Sequence, residues 1–114
     1  MLFRSHVERL HVITLDPAFE QRLLEAIRPS EHGQVLALDG ITVDVLVRGC
    51  TDLLDQADRM NLSPVLVCSP QVRAALSRLV RQVLPRLTVI SYSEVSRTAQ
   101  IESLGVVSGA VAIR

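Results

Sequence analysis

The 114-residue sequence predicts a single small α/β domain, with a largely parallel sheet of four to five strands packed with about three helices. Three observations carry that expectation. A strand–cap–helix pattern occurs three times. The β-type runs are apolar without alternation. The helix-type runs repeat their apolar residues at steps of three and four. Strands that alternate with helices build a parallel sheet, because each helix supplies the crossover that two parallel strands require. Apolar runs without alternation are those of strands buried on both faces.

The first copy is His11-Val-Ile-Thr-Leu15, then Asp16-Pro17, then a short helix over 17–27 with Phe19, Leu23 and Ile27 turned inward. An N-cap Asp accepts from the orphan N–H groups of the first turn, and proline at the next position sacrifices no bond there. Arg28 to Gln34 reads as a loop, because Pro29, Ser30 and Gly33 all interrupt regular structure. The second copy is Val35-Leu-Ala-Leu38, the cap Asp39 with Gly40, and a helix over 41–60 whose inward stripe is Leu46, Cys50, Leu53, Leu54 and Ala57. The third is Pro64-Val-Leu-Val-Cys68, the cap Ser69 with Pro70, and a helix over 70–84. There Val72, Leu76, Leu79, Val80 and Val83 face inward, and Arg73, Ser77, Arg78 and Arg81 take the other side. Pro85 ends that helix by restricting Leu84. A fourth strand follows at Leu87-Thr-Val-Ile-Ser91. Tyr92 to Val95 then form a turn or short helical piece, Ile101 to Val107 a last edge strand, and Ser108 to Arg114 a tail without polar anchors.

Composition bounds the function. Twelve Arg balance six Asp and six Glu, so no basic excess is available to release counterions from nucleic acid. The only aromatic residues are Phe3, Phe19 and Tyr92, too few for base stacking. The chain has no lysine, which excludes a Walker-type phosphate loop or a Schiff-base enzyme built from its own residues. Cys50 and Cys68 are too far apart to form a disulfide framework or a zinc knuckle, which favours a reducing, cytosolic compartment. No apolar run reaches the roughly 18–20 residues of a membrane span, so direct membrane insertion is not expected. The start of the chain, with Arg4, His6, Glu8 and Arg9, is not a signal peptide.

Candidate chemistry is sparse. Cys68 sits at a strand end facing a helix N-terminus, where the dipole can depress a thiol pKa. With Arg73 it offers an alternative reading, a small cysteine-dependent α/β enzyme with a loop that cradles an oxyanion. That loop has no glycine, however, and Pro70 removes one N–H donor, so a buried, inert thiol is the expectation. His6, His11 and His32 are scattered and form no helical metal pair, and Asp52, Asp55 and Asp58 read as a solvated helix face. No cofactor or metal site is expected. Charge is segregated instead. Residues 39–59 carry five Asp against Arg48 and Arg59, whereas residues 70–86 carry four Arg and no acid. Such halves pair within a domain or across an interface, which favours an interaction module over an enzyme. Arg73, Arg78 and Arg81 are the candidate partner contacts.

The ordered run Pro64-Val-Leu-Val-Cys-Ser-Pro-Gln-Val-Arg73, Leu79, Leu84-Pro85, Val89-Ile-Ser-Tyr-Ser-Glu-Val95 and Ile101-Glu-Ser-Leu-Gly-Val-Val-Ser108 resembles the C-terminal end of the type III export-gate family (the FlhA, SctV, InvA and LcrD family). Val12-Ile-Thr-Leu-Asp-Pro17 with Glu20, and Leu36-Ala-Leu-Asp39, fit upstream. The resemblance covers positions 10–108. It implies a non-enzymatic docking and ring-contact module of flagellar or virulence-associated protein export, on the cytoplasmic side of the bacterial inner membrane. Residues 11–108 would be the last cytoplasmic subdomain, residues 1–10 a remnant of the preceding one, and residues 109–114 a tail. The implied partners are neighbouring export-gate subunits, the ATPase stalk protein, and chaperone–substrate complexes or a gatekeeper.

Overall fold

Strand Arg9–Leu15 (β1) lies in the middle of a four-stranded, all-parallel sheet in a computed structural model that describes residues 9–31, 33–95 and 100–108. Its neighbours are Val65–Cys68 (β4) on one side and Gln100–Val107 (β6) on the other, and Thr88–Ser91 (β5) extends the sheet beyond β4, giving the order β5-β4-β1-β6. The register pairs Ile13 with Leu66, Leu66 with Val89, and Leu15 with Val107. Ser103 lies opposite Val12 and Gly105 opposite Ile13, so Leu104 forms a bulge without an opposite residue. Val12 and Ile13 are adjacent and both buried, as are Leu66 and Val67. The central strands are therefore covered on both faces, which is why their sequences do not alternate.

Three helices complete the core: Pro17–Glu25 (α1), Gly40–Arg59 (α2) and Pro70–Val83 (α3). Phe19 and Leu23 of α1, Leu46, Cys50 and Leu54 of α2, and Val72, Leu76 and Val80 of α3 join Ile13, Leu15, Leu66, Cys68, Val89 and Val107 in one apolar cluster. Two inward assignments shift. Val83 is exposed, and Ala75 takes a buried place in the α3 stripe. Leu84 leaves helical dihedrals directly before Pro85, as the proline ring requires.

The segment 27–38 departs from expectation. Residues 28–34 are not a loop, and residues 35–38 do not join the main sheet. Ile27–Ser30 (β2) and Gly33–Leu36 (β3) form a separate antiparallel hairpin, with Ile27 opposite Leu36 and Ser30 opposite Gly33. Gly33 at φ 109° supplies the turn conformation that other residues rarely adopt. Pro29 is tolerated because β2 is an edge strand. Helix α1 accordingly ends at Glu25, with Ala26 as its C-cap, and Ile27 opens β2 instead of closing the helix. The expected fraying tail falls on residues 109–114 and the remnant largely on residues 1–8, both outside the described residues.

The caps differ among themselves. Asp16 Oδ2 accepts from the Ala18 N–H at 3.1 Å and the Phe19 N–H at 3.4 Å, and Asp39 Oδ1 accepts from the Thr42 N–H at 2.7 Å. Hydrogen bonding from the Thr42 side chain, then from this N–H, holds the Asp39 carboxyl below the usual carboxylate range. Ser69 stands at the N-cap position of α3, but its hydroxyl makes no capping bond. Asp16→Ala is therefore expected to lower unfolding stability by about 1 kcal/mol. Ser69→Ala should stay within about 0.5 kcal/mol. Urea midpoints of the two variants check this, and equal shifts would contradict it.

Candidate functional site

In a parallel α/β sheet, ligands usually bind beyond the carboxyl ends of the strands. Here that end carries Leu15-Asp16, Cys68-Ser69 and Ser91-Tyr92, each a strand end running into the next element. Three carboxylates close it. Asp16 caps α1, as above. Glu20, one turn into α1, accepts from the Ser69 N–H at the start of α3. Glu94 Oε1 accepts from the Ser91 N–H at 2.7 Å and from Arg73 Nε at 2.6 Å. Ser91 and Glu94 form a capping box around the single 3-10 turn Tyr92–Glu94. The Ser91 amide, then Arg73, hold the Glu94 carboxyl below its ordinary range.

This arrangement is unfavourable to a cysteine nucleophile. Cys68 is fully buried, and burial, then the negative charge of Glu20, push its thiol up to about 12. Its Sγ–H faces the Ile90 carbonyl at 3.7 Å. The Ser69 N–H, which an oxyanion cradle would need, is engaged by Glu20, and the Arg73 charge is matched by Glu94. The end of the sheet therefore presents acceptor oxygens where an anionic intermediate would need donors. Cys50 is likewise buried, its thiol raised to about 12. Iodoacetamide is expected to label neither cysteine of the native chain near neutral pH and both in urea. Fast native labelling of Cys68 would reopen the enzymatic reading.

The candidate partner residues separate into three situations. Arg73 is half-buried and paired with Glu94. Arg78 is half-buried, and its guanidinium lies against the backbone of Gly33, beside a groove lined by Val35, Leu36, Ala75 and Leu79. Arg81 is exposed, in a recess that also contains Arg73, Ser77, Leu87, Thr88 and Val89. Among the described residues, neither Arg78 nor Arg81 has a carboxylate partner. The acidic helix α2 does not neutralise them. Its Asp58 pairs with Arg86 at 3.2 Å, and its Asp44 pairs with Arg48 on its own helix. His11, at the other edge, pairs with Glu102 at 3.0 Å across β1 and β6, while His6 and His32 lie outside the described residues. No group of acidic, cysteine and histidine side chains among the described residues could hold a metal ion.

Glu20 and Glu94 fall within the family-like runs, but sequence reading gave neither a structural role. The signal for Glu94 was present, since Ser91-x-x-Glu94 is the spacing of a capping box. Nothing local announces Glu20, whose partner is 49 residues away.

The fold and this closed sheet end define a class first: a small α/β module with helices around a parallel sheet, with charge that is unpaired among the described residues on one helix face. The chain belongs to the FHIPEP family, whose profile matches residues 2–100. The flagellar biosynthesis protein FlhA of Bacillus subtilis is 30% identical over 105 residues, covering 92% of this chain and 16% of that protein. The chain thus spans about one sixth of that relative's length. Among solved structures, nonameric SctV-C of EPEC superposes with a TM-score of 0.73 at 19% identity, over 88% of this chain and 29% of that one. The Chlamydia pneumoniae CdsV and CdsO complex gives 0.64 at 25% identity, over 87% and 28%. The resemblance to flagellar and type III export-gate proteins therefore holds at the level of family.

Proposed function

We propose that residues 11–108 form the C-terminal cytoplasmic subdomain of a type III protein export gate, acting without catalysis as a docking and ring-contact module. Residues 1–10 would then belong to the preceding subdomain and 109–114 to a tail. The observation that carries this reading is the helix face of α3, where Arg78 and Arg81 have no carboxylate partner among the described residues. An acid supplied by another subunit or protein is the missing half of such a surface. The relatives support the assignment in kind, since one structure is a nonamer and another a complex with a second protein. Neighbouring gate subunits, the ATPase stalk protein, and chaperone–substrate complexes or a gatekeeper are the partners this role implies. The module would work on the cytoplasmic side of the bacterial inner membrane. No helix among the described residues is long and apolar enough to cross a membrane.

The test is reversal of both charges, Arg78→Glu with Arg81→Glu, in the intact export gate. Export or stalk binding should fall while the fold survives; Arg81→Glu alone, an exposed change of the kind that usually costs under about 0.5 kcal/mol, controls for any packing lost at the half-buried Arg78. Unimpaired export and stalk affinity at low salt, where surface attraction is strongest, would remove the role.

A further inference from the structure

The main sheet has two open edges, β5 and β6, since β5 pairs only with β4 among the described residues. They are not equivalent. At the β6 edge, Arg9 and His11 of β1 are both drawn to Glu102, so charge is balanced there. At the β5 edge, the recess between strand and helix is bordered by Arg73, Ser77 and Arg81, one residue per turn of α3, and floored by Leu87 and Val89. Among the described residues, Arg81 has no anionic partner, and Arg73 gives its Nε–H to Glu94. A guanidinium has five N–H donors, so among the described residues those on the terminal nitrogens of Arg73 remain for a second acceptor.

We infer that the β5 edge, with this arginine row beside it, takes up an extended acidic segment of a partner protein as an added strand. The Ser91 N–H is taken by Glu94, so main-chain hydrogen bonds to the Thr88–Ile90 part of the edge supply affinity, and alternate side chains entering the recess supply selectivity. The spacing fixes the pattern. Arg73 and Arg81 stand eight helical residues apart, ~12 Å along α3. Same-face residues four apart on a strand are separated by ~13 Å. Carboxylates at positions i and i+4 of the segment therefore meet both guanidiniums, and the residue between them sits by Ser77. A helical partner would present its carboxylates without the backbone donors and acceptors that an open edge demands, so an extended acidic chain fits better. This rests on the docking role proposed for α3 and names the chemistry of one partner. An opposing account treats the arginines as guards that keep the edge from pairing at all.

The probe is a short fluorescein-labelled peptide of alternating valine and glutamate, titrated into the 114-residue chain at low salt and followed by anisotropy. Two comparison peptides replace its glutamates with lysine or its valines with proline, the latter removing N–H donors. The glutamate peptide should bind saturably, the lysine peptide should not, and the proline peptide should lose binding. Arg81→Ala should weaken binding about two- to fivefold, as expected for loss of one exposed charge contact. Arg48→Ala, on the far helix, should leave it unchanged. Hydrogen exchange within Thr88–Ile90, at amides that β4 does not engage, should slow in the complex. Equal binding of the proline peptide, unchanged exchange at Thr88–Ile90, an inert Arg81→Ala, or no saturable binding each overturns strand addition. If the peptide fails while the double charge reversal still impairs export, the docking role stands and only the acidic-strand assignment falls.

Discussion

Phe19→Ala should lower unfolding stability by about 3–5 kcal/mol, the range for removing a buried aromatic ring. Phe19 is the largest of the fully buried side chains and one of only three aromatic residues in the chain. It lies one turn into α1, with its N–H on the Asp16 cap, and in the cluster that also holds Leu15, Cys68 and Val72. Small methyl-rich neighbours fill space efficiently around one large ring but have no long side chain with which to refill the vacancy. Against a typical total of about 5–15 kcal/mol, the variant would stand at the edge of folding. Urea denaturation of purified protein decides it, and a loss below about 1 kcal/mol would mean that α1 does not seat on the sheet as described.

Gly49→Val should cost about 1–3 kcal/mol, the usual penalty for forcing extra carbon into a packed interior. A Cβ at Gly49 would stand 2.9 Å from Val107 Cγ1 and 3.3 Å from Cγ2. Val107 cannot swing aside, because it is 2% exposed and β-branched, with few rotamers open to it. Helix α2 approaches β6 this closely twice, since a Cβ at Gly105 would meet Leu53 Cδ2 at 2.6 Å. The second contact is softer, for the Leu53 side chain is flexible and only half-buried. The variant Val107→Ala should relieve part of the penalty, and a double-mutant cycle on urea midpoints reads the coupling. Additive costs would show that α2 does not rest on β6 through these residues.

What was legible in the sequence follows from how local each determinant is. The runs at 11–15, 64–68 and 87–91 announced themselves because apolar and β-branched residues follow one another without alternation and a Pro-bearing cap closes two of them. Val35-Leu-Ala-Leu38 looked the same in composition, yet its first two residues belong to a hairpin and not to the main sheet. Its partner, Ile27-Arg-Pro-Ser30, has one β-branched residue and a proline, so nothing in β2 advertised a strand. Strand order was equally silent, because pairing of β6 with β1 depends on packing of Val107 and Gly105 under α2 and not on any local preference. At the sheet end, Asp16 was readable beside Pro17, while the bond from Ser69 to Glu20 joins distant parts of the chain. The arginine row was visible as a helical period, but the match of Arg73 to Glu94 and the place of Arg81 in the recess beside β5 needed three dimensions.

The pairing of β1 with β6 has a kinetic side. Residues 9–15 wait for residues 100–107, so one flank of a central strand finds its neighbour only after nearly the whole segment has been made. Loop closure over such a span is entropically slow, and topologies rich in distant pairings fold more slowly than local ones. During synthesis, at about 5–20 residues per second, β1 and β4 can meet several seconds before β6 emerges. Until then β1 is itself an edge, with the apolar Val12 and Ile13 next to unpaired main-chain groups. Strand β6, made after β4, is therefore the one that shields the middle of the sheet from association with other nascent chains.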